Sequence, residues 1–346
     1  MNGKKNLTYL MEMFIQRYKI PLSIGAGALI LGFPHMTSDQ YLMTIVIKIG
    51  AYIMLALGLN ILTGYTGLVS LGHAGFVAIG AYAASLMSVR LGMNFFVSMI
   101  FGMLVSGLVG LLLGLPTLRL TGTYLSIVTL GFGEIVKMVA MNWDPVTNGT
   151  LGIKNIPKPE LFGMKMTVAN SGLYYLMVAL LLVIALFCLA VVKSRTGRAF
   201  LAIKTDEMAG TMMGINVTYY KILAFVLSSC ICAAAGAFYA TLIGYIDPNT
   251  FTFDVSTLIL SIVILGGMGT IRGMFLGAAI LIAFPEVSRS LMDYRFVVYG
   301  LILVLMMRFR PQGLLGWKSQ LPYKLSREVR SRLAEDEAGG QEQAAG

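Results

Sequence analysis

Four stretches of this chain, 49–89, 91–118, 166–192 and 222–246, contain no Asp, Glu, Lys or Arg. A helix needs about 20 apolar residues to cross the hydrocarbon core of a bilayer, so each stretch is long enough for at least one crossing. Extended to the shorter apolar segments, the pattern predicts helices over 20–33, 41–63, 64–89, 94–115, 120–141, 172–192, 218–246, 255–267, 273–291 and 296–307. The ten-residue alternation of an outer-membrane strand is absent. The expected fold is an all-α polytopic membrane protein with about ten transmembrane helices.

Two places do not read as plain helix. The run 64–89, GYTGLVSLGHAGFVAIGAYAASLMSV, sets Gly64, Gly67, Gly72 and Gly80 around Ser70 and His73, and 265–278, LGGMGTIRGMFLGA, holds Gly266, Gly269 and Gly277. Closely spaced glycines fit a broken or re-entrant helix, which membrane depth tolerates only against protein or a water-filled cavity. They fit equally well the close packing of helices through small residues. Translocation path and close packing both stay open for these positions. The two runs echo one another weakly: 71–84 aligns with 268–281, Gly72 falling on Gly269, Gly80 on Gly277 and Ala81 on Ala278. Transporters often contain repeats whose broken helices line the central path.

One polar island, 193–221, separates the sixth and seventh apolar segments. Lys193, Arg195, Arg198 and Lys204 crowd its first half. Thr205 is placed to cap a short helix with Asp206 and Glu207 in its first turn, where the helix dipole favours anions. Gly214 is placed to stop that helix.

Composition places the island in context. Hydrophobic residues make up 57% of the 346 and charged residues 12%, with mean hydropathy +0.79. Soluble domains carry about twice that charge fraction. The net charge of +10 sits at the ends of apolar segments, so it reads as a topology signal and as contact with anionic lipid of the bilayer, with no nucleic acid implied. The basic regions are 1–19, the island and the start of the 310–346 tail. An even number of crossings between successive regions puts all three on the cytoplasmic side. The tail ends in AEDEAGGQEQAAG, a composition expected to be partly disordered.

Chemistry is sparse. No GxxxxGK[ST] phosphate loop, HExxH, paired-carboxylate or Ser/His/Asp arrangement occurs, so no catalytic residue, metal or cofactor is expected. Cys188, Cys230 and Cys232 lie inside apolar runs as packing residues. His73 is expected to be a packed, hydrogen-bonding residue. Lys48 is expected to snorkel. Glu134 and Lys137 are spaced to pair with each other, and Arg289 is spaced to pair with Glu286 or Asp293.

Five stretches carry a resemblance: GLNILTGYTGLVSLGHAGFVAIGAYAA, TGTYLSIVTLGFGEI, GRAFLAIKTDEMAGTMMGINVTYYKILAF, LGGMGTIRGMFLGA and RFRPQGLLG. In this order they resemble the branched-chain amino acid permeases of ABC importers, the LivM-type subunit in particular. The resemblance implies a permease domain over 20–309 in the cytoplasmic membrane of a prokaryote. It implies four kinds of partner: a second related permease, two ABC ATPase subunits, an extracytoplasmic substrate-binding protein and the bilayer. It also implies that 193–217 is a cytoplasmic coupling loop, with Arg198, Phe200, Asp206, Glu207, Met208, Met212 and Gly214 as candidate contacts to the ATPase. The wider importer pattern has Glu-Ala-Ala with a glycine six residues after the Glu. Here Glu207 is followed by Met208 and Ala209, and Gly214 comes seven residues on. A permease for urea or amides, an ion-coupled carrier and a passive channel are the alternative readings.

Overall fold

The computed structural model describes residues 39–117, 122–161 and 164–287, together with residues 32, 34, 297, 300, 301, 304–306, 308 and 312–315. The basic segment 1–19, most of the expected spans 20–33 and 296–307, most of the 310–346 tail, and Arg289 and Asp293 lie outside these residues.

The described chain is helical almost throughout. Helix α1, Gln40–Leu59, runs directly into a π-helical turn, Asn60–Tyr65. It is followed by α2 His73–Leu91, α3 Phe95–Thr117, α4 Thr123–Asn142 and α5 Gly172–Lys193. The island forms α6 Arg195–Thr205 and α7 Glu207–Met212, and the bundle resumes with α8 Val217–Ile243, α9 Phe253–Gly266 and α10 Ile271–Val287. Among the described residues, seven segments are long and apolar enough to cross a membrane, and α10 is a shorter apolar helix. This is a multi-pass helical membrane protein, because in lipid only a structure that satisfies its own backbone can span.

Helix α8 is the axis of the bundle. Its residues from Ile231 to Phe238 are all buried, and it packs on α1, α2 and α3 through small side chains. A Cβ on Gly80 of α2 would overlap Ala233 of α8, and one on Gly107 of α3 would come within 2.7 Å of the Cys230 sulfur. Such residues let backbones approach where lipid supplies no hydrophobic drive for association.

Polar links tie the far end, away from the island. The α8 C-terminus closes on Gly244, whose φ of 81° is left-handed. Lys158 reaches across from the 143–171 excursion and donates to the Thr241 and Leu242 carbonyls at 2.7 and 3.0 Å. It satisfies carbonyls that a helix end leaves open, and burial holds its ammonium pKa below the usual lysine range. Arg90, in the last turn of α2, donates to the Pro145 and Val146 carbonyls at 2.7 and 2.8 Å.

Two expected pairings differ. Lys48 does not simply snorkel: its ammonium lies 3.6 Å from the Glu286 carboxylate of α10, which also accepts the Tyr41 hydroxyl at 2.6 Å. The α10 C-terminal end lies beside the start of α1, a contact invisible in sequence. Glu134 and Lys137 do not pair. Among the described residues neither makes an ion pair or a hydrogen bond.

Candidate functional site

Three links break the bundle: 67–72 before α2, 244–252 before α9, which holds one 3-10 turn at Pro248–Thr250, and 267–270 between α9 and α10. The first turns of α2 and α9 meet. The Ala74 N–H, one of the donors that a helix start leaves free, donates to Ser256 Oγ at 2.9 Å. Next to it, His73 lies level with Ser228. That serine is eleven residues into α8 (228 − 217), about 16 Å along the axis at 1.5 Å per residue. The first link therefore climbs well into the bundle.

Its backbone is satisfied by side chains of α4 and by its own turn. Leu71 N–H donates to Thr129 Oγ1 at 3.1 Å, Ser126 Oγ donates to the Val69 carbonyl at 3.1 Å, and Thr63 Oγ1 donates to the Leu68 carbonyl at 3.1 Å. Gly72 lies directly on the Thr129 carbonyl, in space that a Cβ would fill. Gly67 takes a left-handed φ of 76° at the foot of the link.

His73 is fully buried between two serines. Ser228 Oγ donates to the Gly58 carbonyl at 2.7 Å, so it accepts from His73 Nε2 at 2.7 Å. The neutral ring then accepts at Nδ1 from Ser70 Oγ, 2.9 Å away. This tautomer is assigned from the network. Every polar atom of the ring has a protein partner, and among the described residues no group of three His, Cys, Asp or Glu is placed to hold a metal.

The 267–270 break is tied through Asn60 to the π-helical turn that precedes the 67–72 link. Asn60 Oδ1 accepts the Gly269 N–H at 2.9 Å, and its Nδ2 donates to the Thr270 carbonyl at 3.4 Å. Gly64 lies against Asn60 and comes close to Gly269, whose φ is 86°. A π-turn of this kind often marks a functional position. Gly266 sits on the Gly273 backbone and Gly277 on the Ile262 carbonyl, closing the α9–α10 hairpin. The sequence echo has a structural counterpart: Gly72 and Gly269 both fall in links, and Gly80 and Gly277 both fall in tightly packed helix.

The island is two helices with a corner. Ser194 caps α6, accepting from Thr196 N–H at 3.1 Å, and Thr205 is the last residue of α6. Asp206, not Thr205, is the cap of α7: its extended backbone (φ −157°) turns the corner and its Oδ1 accepts from Met208 and Ala209 N–H at 2.8 and 3.0 Å. Gly214, with φ 79°, follows the α7 C-terminus. Phe200 is fully buried, edge-on to Tyr220, because α6 is amphipathic and turns Ala199, Phe200 and Ile203 inward. It anchors the island and is not open to a partner. Arg198 is exposed on the other face of α6. Met208, Met212 and Met213 are 74%, 82% and 84% exposed, an apolar patch outside the membrane-spanning segments.

Two lysines fix this patch to the bundle. Lys204 donates to the Gly64 carbonyl at 2.7 Å and lies over Gly67, and burial lowers its pKa. Lys221, 3% exposed, pairs with Glu207. Glu207→Ala is expected to strand a buried ammonium and destabilise the chain by about 1–3 kcal/mol or more, whereas Lys221→Met leaves only a half-exposed carboxylate. Thermal denaturation of both singles and the double checks this. The double is expected to be more stable than Glu207→Ala, and additive losses would contradict the pairing. Sequence spacing gave no signal for Lys221 as partner, nor for Asn60, Ser228 and Ser256.

A bundle of membrane-crossing helices, broken inside by non-helical links and carrying a rigid surface-helix pair at one end, defines a multi-pass membrane protein of the transport type. Residues 41–307 match the family described as "Branched-chain amino acid transport system / permease component", and the chain belongs to it. It is 36% identical to the high-affinity branched-chain amino acid transport system permease protein LivM of Salmonella typhimurium, over 90% of this chain and 75% of that one. It is 39% identical to the LivM protein of Escherichia coli over 76% of this chain and 67% of that one. The LivH permease of the same Salmonella system is 24% identical over 77% of this chain and 91% of its own.

Proposed function

We propose that this chain is the permease subunit of an ATP-driven importer that moves branched-chain or closely related neutral amino acids across the cytoplasmic membrane of a prokaryote. The observation that carries this reading is the exposed Met208–Met212–Met213 patch on a helix paired to α8 through Glu207–Lys221 and joined at Asp206 to α6, whose Lys204 holds the Gly64 carbonyl. A surface of three exposed methionines suits a partner groove, since flexible thioethers adapt to it. The chain has no phosphate-binding loop of its own, so ATP hydrolysis comes from two separate ATPase subunits, one of which docks on 193–217. The related LivM and LivH names in one organism support a second, homologous permease as the other half of the membrane unit. An extracytoplasmic binding protein delivers the solute at the far end.

The mechanical route follows the contacts. Displacement of α7 pulls on α6 through the corner at Asp206 and on α8 through Glu207–Lys221. Lys204 passes it to Gly64 and Gly67, and Asn60 passes it to Gly269 and Thr270. Both links then move together, and with them the entries of α2 and α10. Arg198, Asp206 and Gly214 serve this unit as rim charge, corner cap and helix stop.

A thiol cross-link tests the docking. Met212→Cys in the assembled complex is expected to cross-link to the ATPase subunit and not to the binding protein. Cross-linking to the binding protein, or to neither, would overturn the orientation.

A further inference from the structure

Helix α4 is the least buried of the described spans, with 17% of its apolar window inside the molecule. Tyr124, Ile127, Ile135 and Met138 line its open face, all more than 60% exposed. Between them lies Gly131, and a Cβ there would meet nothing within 4 Å. Glu134 sits one turn after this notch, eleven residues from the start of α4 and eight from its end (134 − 123 and 142 − 134), near the middle of the span. Lys137 is one turn further on. Both are half-buried, and among the described residues neither has a partner, although a Glu three residues before a Lys on a helix favours pairing.

A carboxylate at the centre of a membrane-spanning helix is costly in lipid, and such residues face a water-filled cavity or a protein partner. The near neighbour of opposite charge is left unpaired, and the two residues sit about 4.5 Å apart along the helix axis, three residues at 1.5 Å rise. Beside them is an apolar notch floored by glycine. A zwitterionic amino acid with an apolar side chain presents the complementary set.

Resting on the reading of the chain as an amino-acid permease, we propose that the open face of α4 lines the translocation path. There Glu134 receives the ammonium and Lys137 the carboxylate of the passing amino acid, and its side chain rests over Gly131 between Ile127 and Ile135. The other candidate occupant, a basic residue of the second permease paired with Glu134, is separated by experiment.

The test uses the complete assembly in proteoliposomes with leucine as solute. Glu134→Gln is expected to lower ATP-driven uptake at least tenfold, and Glu134→Asp, which keeps the charge, to stay within about threefold of the unaltered chain. The second permease is expected to co-purify equally with all variants. Glu134→Cys in the assembly is expected to react with a water-borne sulfonated thiol reagent. Uptake by Glu134→Gln at the unaltered rate, loss of the second permease from that variant, or an unreactive Glu134→Cys would each overturn the site alone. Absence of leucine uptake by the unaltered assembly would overturn the permease reading and this site together.

Discussion

Gly72→Ala is expected to leave little folded protein. The added methyl group falls on the Thr129 carbonyl of α4, and the obstruction is backbone, so no side chain can turn aside to admit it. Either α4 moves off the first link, which breaks the Leu71–Thr129 hydrogen bond, or the start of α2 shifts and unseats His73. Overpacking of this kind costs about 1–3 kcal/mol, and more where backbone is in the way. Gly80→Leu should be as severe, since its Cβ already meets the Cα, Cβ and carbonyl of Ala233 on the central helix. Gly210→Ala in α7 is the control, because a Cβ there meets nothing within 4 Å. Detergent-solubilised variants followed by size exclusion and thermal denaturation check this. A Gly72→Ala chain that melts like the unaltered one would show that the link does not bear on α4.

The second large effect falls on function and spares the fold. Met208→Glu combined with Met212→Glu places two charges on side chains that are 74% and 82% exposed. Substitutions at such positions leave stability within about 0.5 kcal/mol. In a partner groove, though, each apolar anchor is replaced by a carboxylate that must be desolvated. A loss of about 3 kcal/mol in association corresponds to about 100-fold in affinity. The double variant should insert and melt normally and yet bind the ATPase subunits about 100-fold more weakly, with ATP-driven uptake lost in parallel. Retained ATPase binding, measured by co-purification across a dilution series, would remove the methionine patch from the docking surface.

The helices were legible because apolar runs without charge have few other fates. The island's existence was legible for the same reason, and Gly214 as a stop follows from its left-handed φ. The corner at Asp206 was not. Thr205 and Asp206 are adjacent capping residues, and nothing in local sequence says that Ser194 has already opened a helix in which Thr205 is the last residue. Phe200, expected as a partner contact, is buried instead: an 11-residue amphipathic helix between two membrane spans has two candidate sides, and only packing against Tyr220 decides between them. Among the pairings, Ser70 is three residues from His73, a helical neighbour by spacing, whereas Ser228 is 155 residues away. Lys48–Glu286, Asn60–Gly269 and Lys204–Gly64 are likewise contacts between elements distant in sequence. The Glu134–Lys137 pairing failed for the opposite reason. Spacing permits it, and the structure leaves the two groups half-buried and unpaired on α4.

On the proposed mechanism this chain moves its solute with energy supplied by other subunits. Proteoliposomes containing the chain with its second permease, the ATPase subunits and the binding protein test it most directly. Labelled leucine uptake should require ATP on the side of the island and binding protein on the opposite side, and should be absent when any one component is left out. Uptake by liposomes containing this chain alone, driven by a proton or sodium gradient without ATP, would contradict the account.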